Sequence, residues 1–292
     1  MMKLIFAALF VFVTASAASS QVTVYIAGDS TAANKTADKR PETGWGEMLQ
    51  QYFDPAKVVV DNRAMNGRST KTFISEGRWQ AIIDKLKKGD WVFVQFGHND
   101  ESKEKGERYT PPDAYRANLI RFIGDVRGKN ANIVLMTPVM RRKFDKDGKF
   151  QDTHGEYPDI VRSVAKEQKV PLIDMHRTSE AVLVKYGPDG SRKLFLQLKP
   201  GENANYPKGI EDNTHFNRAY LLQLGPAMFQ LVDTARQVAH GGCLSCHRNA
   251  PASPAEADMH PLRWWRGGHS AIAARATANA DAASGERLPH LP

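Results

Sequence analysis

The sequence predicts a three-layer α/β/α domain built on a five-stranded parallel sheet, with an irregular tail behind it. Two observations predict it. Short apolar, β-branched runs alternate with stretches of helical spacing, the pattern of strands covered on both faces by helices. Gly-rich polar clusters follow the first three of those runs, where ligands bind in sheets of this kind. Size and composition agree. A chain of 292 residues, 41% hydrophobic and 25% charged, has the profile of a globular protein with a substantial core.

The elements follow in order. Val22 to Ala27 is apolar and β-branched, stops at Gly28 and reads as a buried first strand. Gly44 to Phe53 reads as a helix and Val58 to Val60 as the second strand. Trp79, Ile82, Ile83 and Leu86 share one face of a helix over Trp79 to Leu86. Trp91 to Phe96 is the third strand, ended by Gly97. Pro111 and Pro112 mark the start of a helix running from Pro112 to Val126. Ile133 to Met136 is the fourth strand, stopped by Pro138. Tyr157 to Gln168 is helical, Val170 to Ile173 is the fifth strand, and a further helix spans Thr178 to Tyr186.

The chain's ends differ from its body. Lys3, the apolar run Leu4 to Val13 and the small residues Ala15-Ser16-Ala17 read as a signal peptide over residues 1–17. The run is short for a membrane span, so export without stable membrane insertion is expected. The main domain is assigned to 18–240. Residues 241–292, rich in Ala, Pro, Gly and Arg, are assigned to a low-complexity, disordered tail. The only cysteines, Cys243 and Cys246, lie there, so no disulfide framework holds the domain. The net charge of +8 favours acidic partners, nucleic acid, anionic lipid or a polyuronate among them. No cluster of Lys and Arg with interleaved aromatics marks a nucleic-acid face, and none is expected as a partner.

Acyl transfer needs a nucleophile, a base, an orienter for the base and donors for the oxyanion. Ser30, in Gly28-Asp29-Ser30-Thr31, lies just past the first strand, where a hydroxyl is presented to a substrate, although a serine there also suits a helix N-cap. Asp212 precedes His215 by three positions, close enough to orient the imidazole and stabilise its protonated form; a capping Asp beside an incidental His has the same spacing. Gly67, in Asn66-Gly67-Arg68-Ser69, offers a backbone N–H with no Cβ in the way, and Asn99, in Gly97-His98-Asn99-Asp100, a side-chain amide. A plain turn and a loop cap are the structural alternatives for these two. The joint placement of all four at loop positions of one sheet favours the catalytic reading.

These residues, Gly28-Asp29-Ser30, Gly67, Gly97-His98-Asn99-Asp100 and Asp212-x-x-His215, resemble in order the four blocks of the SGNH (GDSL) hydrolases, a flavodoxin-like fold. Within that superfamily the chain is similar to the rhamnogalacturonan acetylesterases, through Asn62 to Ser69, Thr137 to Phe144, His154-Gly155-Glu156-Tyr157-Pro158 and Leu198 to Phe216. The resemblance implies removal of O-acetyl groups from a pectic, acidic polysaccharide, with Ser30 as nucleophile, His215 as base, Asp212 as its orienter and Ser30, Gly67 and Asn99 forming the oxyanion hole. It implies no metal and no organic cofactor. Asp29, Arg68, His98, Arg141 and Arg142 are candidate substrate contacts, and a monomer is expected. Other acylated substrates, xylan acetates or lipids, are the alternative; the Arg-rich segments favour a charged sugar polymer. A purely binding module would not need the Ser, Gly, Asn, Asp and His set.

After Asn217 the chain departs from the family pattern, and a shifted reading frame near residue 218 would account for it. Ala227 to Val238 still has helical character. The tail holds Cys243-Leu244-Ser245-Cys246-His247, an attachment pattern for c-type haem with Met259, His260 or His269 as second axial ligand. A chance match, a local disulfide or an adventitious metal site is the favoured account, because a short motif without structural context misleads.

Overall fold

The computed structural model describes residues 21–224. Within them lies a parallel sheet of β1 (Val22–Gly28), β2 (Val58–Asn62), β3 (Trp91–Gln95), β4 (Asn132–Met136) and β5 (Leu172–Ile173), in the order β2-β1-β3-β4-β5. The sequence expects these five strands, and their near-continuous apolar character has a direct cause. Side chains alternate between two cores, so neither face can be polar. Val24 and Ile26 of β1, Trp91 and Phe93 of β3, and Val134 and Met136 of β4 enter one core. Their neighbours Tyr25, Ala27, Val92, Val94, Ile133 and Leu135 enter the other. The register aligns Ile26 with Phe93 and Phe93 with Val134, so each core is layered across the strands.

Helices α1 (Thr70–Ser75), α2 (Arg78–Ile83), α3 (Pro112–Gly128) and α4 (Tyr157–Gln168) cover the second core. Helix α3 buries Tyr115, Leu119, Phe122, Ile123 and Val126, one stripe at helical spacing. Trp79 of α2 packs on Phe122 with ring centroids 4.0 Å apart and donates its indole N–H to Asp125. The first core is closed by a 3₁₀ segment, Trp45–Tyr52, by α5 (Met175–Gly190) and by α6 (Arg218–Gln223). The segment expected to be an α-helix over Gly44 to Phe53 is thus a 3₁₀ helix. In α5 the backbone is non-helical at Gly187, next to Pro188, just past the expected helix end at Tyr186.

Four elements escape the sequence reading. Helix α1 is short and rich in β-branched residues, which masks its helical character; Ser69 caps it by accepting the Thr72 N–H. An antiparallel ribbon, β6 (Phe195–Leu198) with β7 (Ile210–Phe216), stands apart from the main sheet. Its β7 strand reads Ile-Glu-Asp-Asn-Thr-His-Phe, and this polar run hides a strand. Beyond it, Asn217 accepts the Ala219 and Tyr220 N–H groups to start α6. Tyr220 then packs against Phe195 and Phe216, with centroids 5.0 and 4.9 Å away, so the chain past Asn217 completes the core as far as Leu224. The expected signal peptide, the helix over Ala227 to Val238, the tail and its Cys243, Cys246 and His247 lie outside the described residues.

In this strand order the chain passes from β2 across β1 to β3. The resulting crevice at the carboxyl ends of β1 and β3 is the ligand site of such sheets.

Candidate active site

The turn after β1 presents Ser30. Asp29 Oδ1 accepts the Thr31 N–H and hydroxyl at 2.8 and 2.7 Å, which closes the turn around the serine. Gly28 permits this turn to sit close to β3: a Cβ there would meet the Gln95 carbonyl at 3.0 Å. Below the turn, Trp45 donates its indole N–H to the buried Gln95 side chain, at 2.6 Å.

The β7 strand brings His215 across from the other end of the domain. Its Nε2 lies 2.8 Å from Ser30 Oγ and its Nδ1 2.7 Å from Asp212 Oδ2. A carboxylate only accepts, so the Nδ1 proton faces Asp212 and the Nε2 lone pair faces the serine hydroxyl. The other Asp212 oxygen accepts the backbone N–H groups of Thr214 and His215, at 2.7 and 3.0 Å. Burial pushes the Asp212 carboxyl up, but the hydrogen bond and charge of His215 and these two donors outweigh it. The net effect holds Asp212 below the ordinary carboxylate value. Arg142 fixes this turn from outside: its backbone N–H donates to the Asn213 carbonyl and its guanidinium to Asn213 Oδ1, at 2.8 and 2.9 Å.

The loops after β2 and β3 are tied to one another and to the serine turn. Asn99 is buried and donates one amide hydrogen to the Arg68 carbonyl at 3.0 Å, and its second has no partner among the described residues. Asp100 Oδ1 accepts the Thr70 N–H and hydroxyl, at 2.9 and 2.6 Å. Lys35 bridges the Ser30 carbonyl and Asn66 Oδ1. Gly67 therefore lies between two anchored neighbours, Asn66 and Arg68. Its φ of +75° is a left-handed conformation that suits glycine, and a Cβ there would lie 3.1 Å from the guanidinium of Arg108.

Of the five candidate substrate contacts, two are buried and three are partly exposed arginines held by neighbouring groups. Asp29 is wholly buried in its turn and offers no atom to a ligand. His98 is buried too, 3.4 Å from Asp29 and with its ring 4.7 Å from that of His154. Burial brings His98 down to about 4, against the opposing pull of Asp29, so the ring is neutral near pH 7. Arg141 is engaged by Glu101, Thr153 and the His98 carbonyl. Arg142 is engaged by Asn213, Ser191 and the Pro188 carbonyl. Arg68 is partly exposed, but pairs with Glu76 at 3.0 Å and the Asn66 carbonyl at 2.9 Å. The three arginines brace the loops and keep part of their surface open.

Three residues beside the site were not singled out from the sequence. Lys35 and Glu42 form a buried ion pair at 2.6 Å, and Glu42 Oε1 lies 4.0 Å from His215 Nε2. Arg108 is exposed beside Gly67 and pairs with no carboxylate among the described residues. The cluster Glu101 to Thr110 is a run of charges, which gives no sign of which member turns toward the site.

A parallel sheet of this order with acyl-transfer geometry at its carboxyl edge defines a class, the SGNH-type ester hydrolases. The chain belongs to the GDSL-like lipase/acylhydrolase family, whose model matches residues 26–220. It is 42% identical to the rhamnogalacturonan acetylesterase RhgT of Bacillus subtilis over 196 residues, covering 67% of this chain and 83% of that protein. It is also 42% identical to a rhamnogalacturonan acetylesterase of Emericella nidulans, covering 65% of this chain and 82% of that protein. Among solved structures, YxiM of Bacillus subtilis superposes with a TM-score of 0.62 at 27% identity, covering 74% of this chain and 57% of that one. The acetylxylan esterase Axe2 of Geobacillus stearothermophilus shares the fold, with a TM-score of 0.53 at 20% identity, covering 74% of this chain and 95% of that one.

Proposed function

We propose that the chain is a carbohydrate acetylesterase that removes O-acetyl groups from a pectic polysaccharide, rhamnogalacturonan I, through an acetyl-Ser30 intermediate. The observation that carries the chemistry is the continuous hydrogen-bonded line from Asp212 through His215 to the Ser30 hydroxyl. Ser30 Oγ attacks the acetyl carbonyl while its proton passes to His215 Nε2. Negative charge gathers on the carbonyl oxygen, for which the Ser30 N–H, the Gly67 N–H and the free Asn99 amide hydrogen are the assigned donors. One such donor is worth roughly 3–4 kcal/mol. The bond to the sugar oxygen then breaks, and Nε2 returns the proton to that oxygen as the sugar leaves. A water next gives a proton to Nε2 and attacks the acetyl-serine. Acetate departs as the proton returns to Ser30 Oγ. Asp212 stays ionised throughout and stabilises the imidazolium in both halves.

The two acetylesterase relatives support the pectic substrate by their names, and charge supports it physically. A net charge of +8 suits a polyuronate, and the Arg108 guanidinium beside Gly67 suits a uronate carboxylate next to the acetylated position. Export belongs to the same proposal: a polymer outside the cell requires an enzyme outside it, and residues 1–17 have the pattern of a secretion signal.

The test is acetate release from acetylated rhamnogalacturonan by wild type and Ser30→Ala, with acetylated xylan and p-nitrophenyl acetate in parallel. Pectic release that vanishes in the variant is expected. Release from xylan or the nitrophenyl ester alone would retain the acyl chemistry and overturn the pectic substrate. Activity surviving Ser30→Ala would overturn the mechanism.

A further inference from the structure

We propose that Lys35 is a positioning residue for acyl transfer, holding the nucleophile turn, the Gly67 loop and the His215 strand in register; this rests on the reading of Ser30 and His215 given above. The Lys35 side chain is 1% exposed. A buried ammonium is costly unless charge-paired and hydrogen-bonded, and it carries three donors. All three are met: the Ser30 carbonyl at 2.6 Å, Asn66 Oδ1 at 3.1 Å and Glu42 Oε1 at 2.6 Å.

The three acceptors come from three separate pieces of the site. Ser30 is the candidate nucleophile itself, and a bond to its carbonyl fixes the peptide plane from which its side chain projects. Asn66 adjoins Gly67, so its side chain sets the height of the loop whose N–H faces the substrate oxygen. Glu42 reaches the base by two routes. Its Oε1 lies 4.0 Å from His215 Nε2, and its backbone forms a bridge with Asn217. The next residue, Thr43, donates its N–H to the Phe216 carbonyl at 3.0 Å. Arg40 braces the hub from outside, donating to the Lys35 carbonyl and to Glu47.

Stability alone does not explain such a hub. A buried ion pair adds little over an apolar pair of similar volume. What Lys35 and Glu42 supply, and an apolar pair would not, is three directional bonds that meet at one atom. An acyl-transfer site is sensitive to that: a 1 Å misplacement costs on the order of 10²-fold in rate.

The experiment compares wild type, Lys35→Met/Glu42→Gln, Asn66→Ala and Ser30→Ala in the full chain, on p-nitrophenyl acetate. Each is measured for kcat, KM, thermal midpoint and the rate of Ser30 labelling by a fluorophosphonate. The double variant removes both charges together, so neither is left buried without a partner. Its expected behaviour is a kcat ~10²-fold lower with KM within about twofold. Its midpoint is expected near wild type, and serine labelling slows in step with kcat. Asn66→Ala cuts only the exposed arm and is expected to lose kcat several-fold at an unchanged midpoint; should the double variant fail to fold, this variant decides. Wild-type kcat in the double variant would show that Lys35 merely neutralises Glu42. A loss of kcat that follows a fall in midpoint and a rise in KM would show a structural role only. Either result overturns the proposal while Ser30→Ala remains inactive. An active Ser30→Ala enzyme would remove the underlying reading together with it.

Discussion

Asp100 is the strongest handle on the energetics of the site. It is wholly buried, and its Oδ1 accepts two hydrogen bonds from Thr70 while its Oδ2 has no partner among the described residues. Burial pushes it from the ordinary 3.8 up to about 7, against the lowering effect of its Thr70 donors. In the unfolded chain the group loses its proton near 3.8; in the folded protein it keeps it until about 7. Over that window the folded state binds the extra proton, so stability falls as pH rises. The contribution is complete below 3.8 and gone above 7. Each pH step is worth ~1.36 kcal/mol, so the whole window amounts to something on the order of 4 kcal/mol. Asp100→Asn keeps a carbonyl for Thr70 and cannot ionise. Urea unfolding of wild type and variant at pH 4, 5, 6, 7 and 8 is the assay. Near-equal stabilities at pH 4 are expected, with the variant ahead by ~1–4 kcal/mol at pH 8. Parallel stability curves across the range would refute the reasoning, because other titrating groups contribute equally to both proteins.

Asp212→Asn leaves the geometry in place but removes the charge that stabilises the protonated imidazole. A kcat on p-nitrophenyl acetate lower by roughly 10³–10⁴-fold is expected, and a loss below tenfold would deny Asp212 that role. Gly67→Ala places a side chain at φ +75° and against Arg108. It is expected to lose ~1–2 kcal/mol of stability by thermal unfolding, and more than tenfold in kcat; wild-type behaviour in both would dismiss the close approach. Arg108→Ala is expected to raise KM for acetylated rhamnogalacturonan by about tenfold, an effect that fades as salt screens the contact, with far less change for the uncharged p-nitrophenyl acetate. Equal effects on the two substrates would exclude a carboxylate contact.

The parts legible in the sequence are those whose physics is local. Strands buried on both faces must be apolar throughout, so Val22–Gly28 and Trp91–Gln95 announce themselves. A carboxylate three residues before a histidine reaches it through a local turn, here closed by Asp212 accepting the Thr214 and His215 N–H groups, so Asp212 and His215 can be read as a pair. The β7 strand was hidden for the same reason that it matters: it carries Asp212, Asn213 and His215, polar residues that disguise its extended conformation. An arginine's identity does not reveal its partner in the sequence. Arg141 and Arg142 look free in the sequence and are committed to Glu101 and Asn213 in the fold. Lys35 was invisible for a related reason: its link to Asn66 spans 31 positions, a distance that only the packed sheet closes.

The separation of Ser30 from His215 has a consequence for biogenesis. The two are 185 positions apart, and the base lies near the end of the described chain, on a ribbon separate from the sheet that presents the serine. A ribosome makes the nucleophile early and its base late. On the proposed mechanism, a chain whose ribbon has not docked lacks esterase activity, because Ser30 meets His215 only through that ribbon. Recovery of esterase activity during refolding should consequently trail recovery of the sheet's circular dichroism, which makes activity a clock for the last step of assembly.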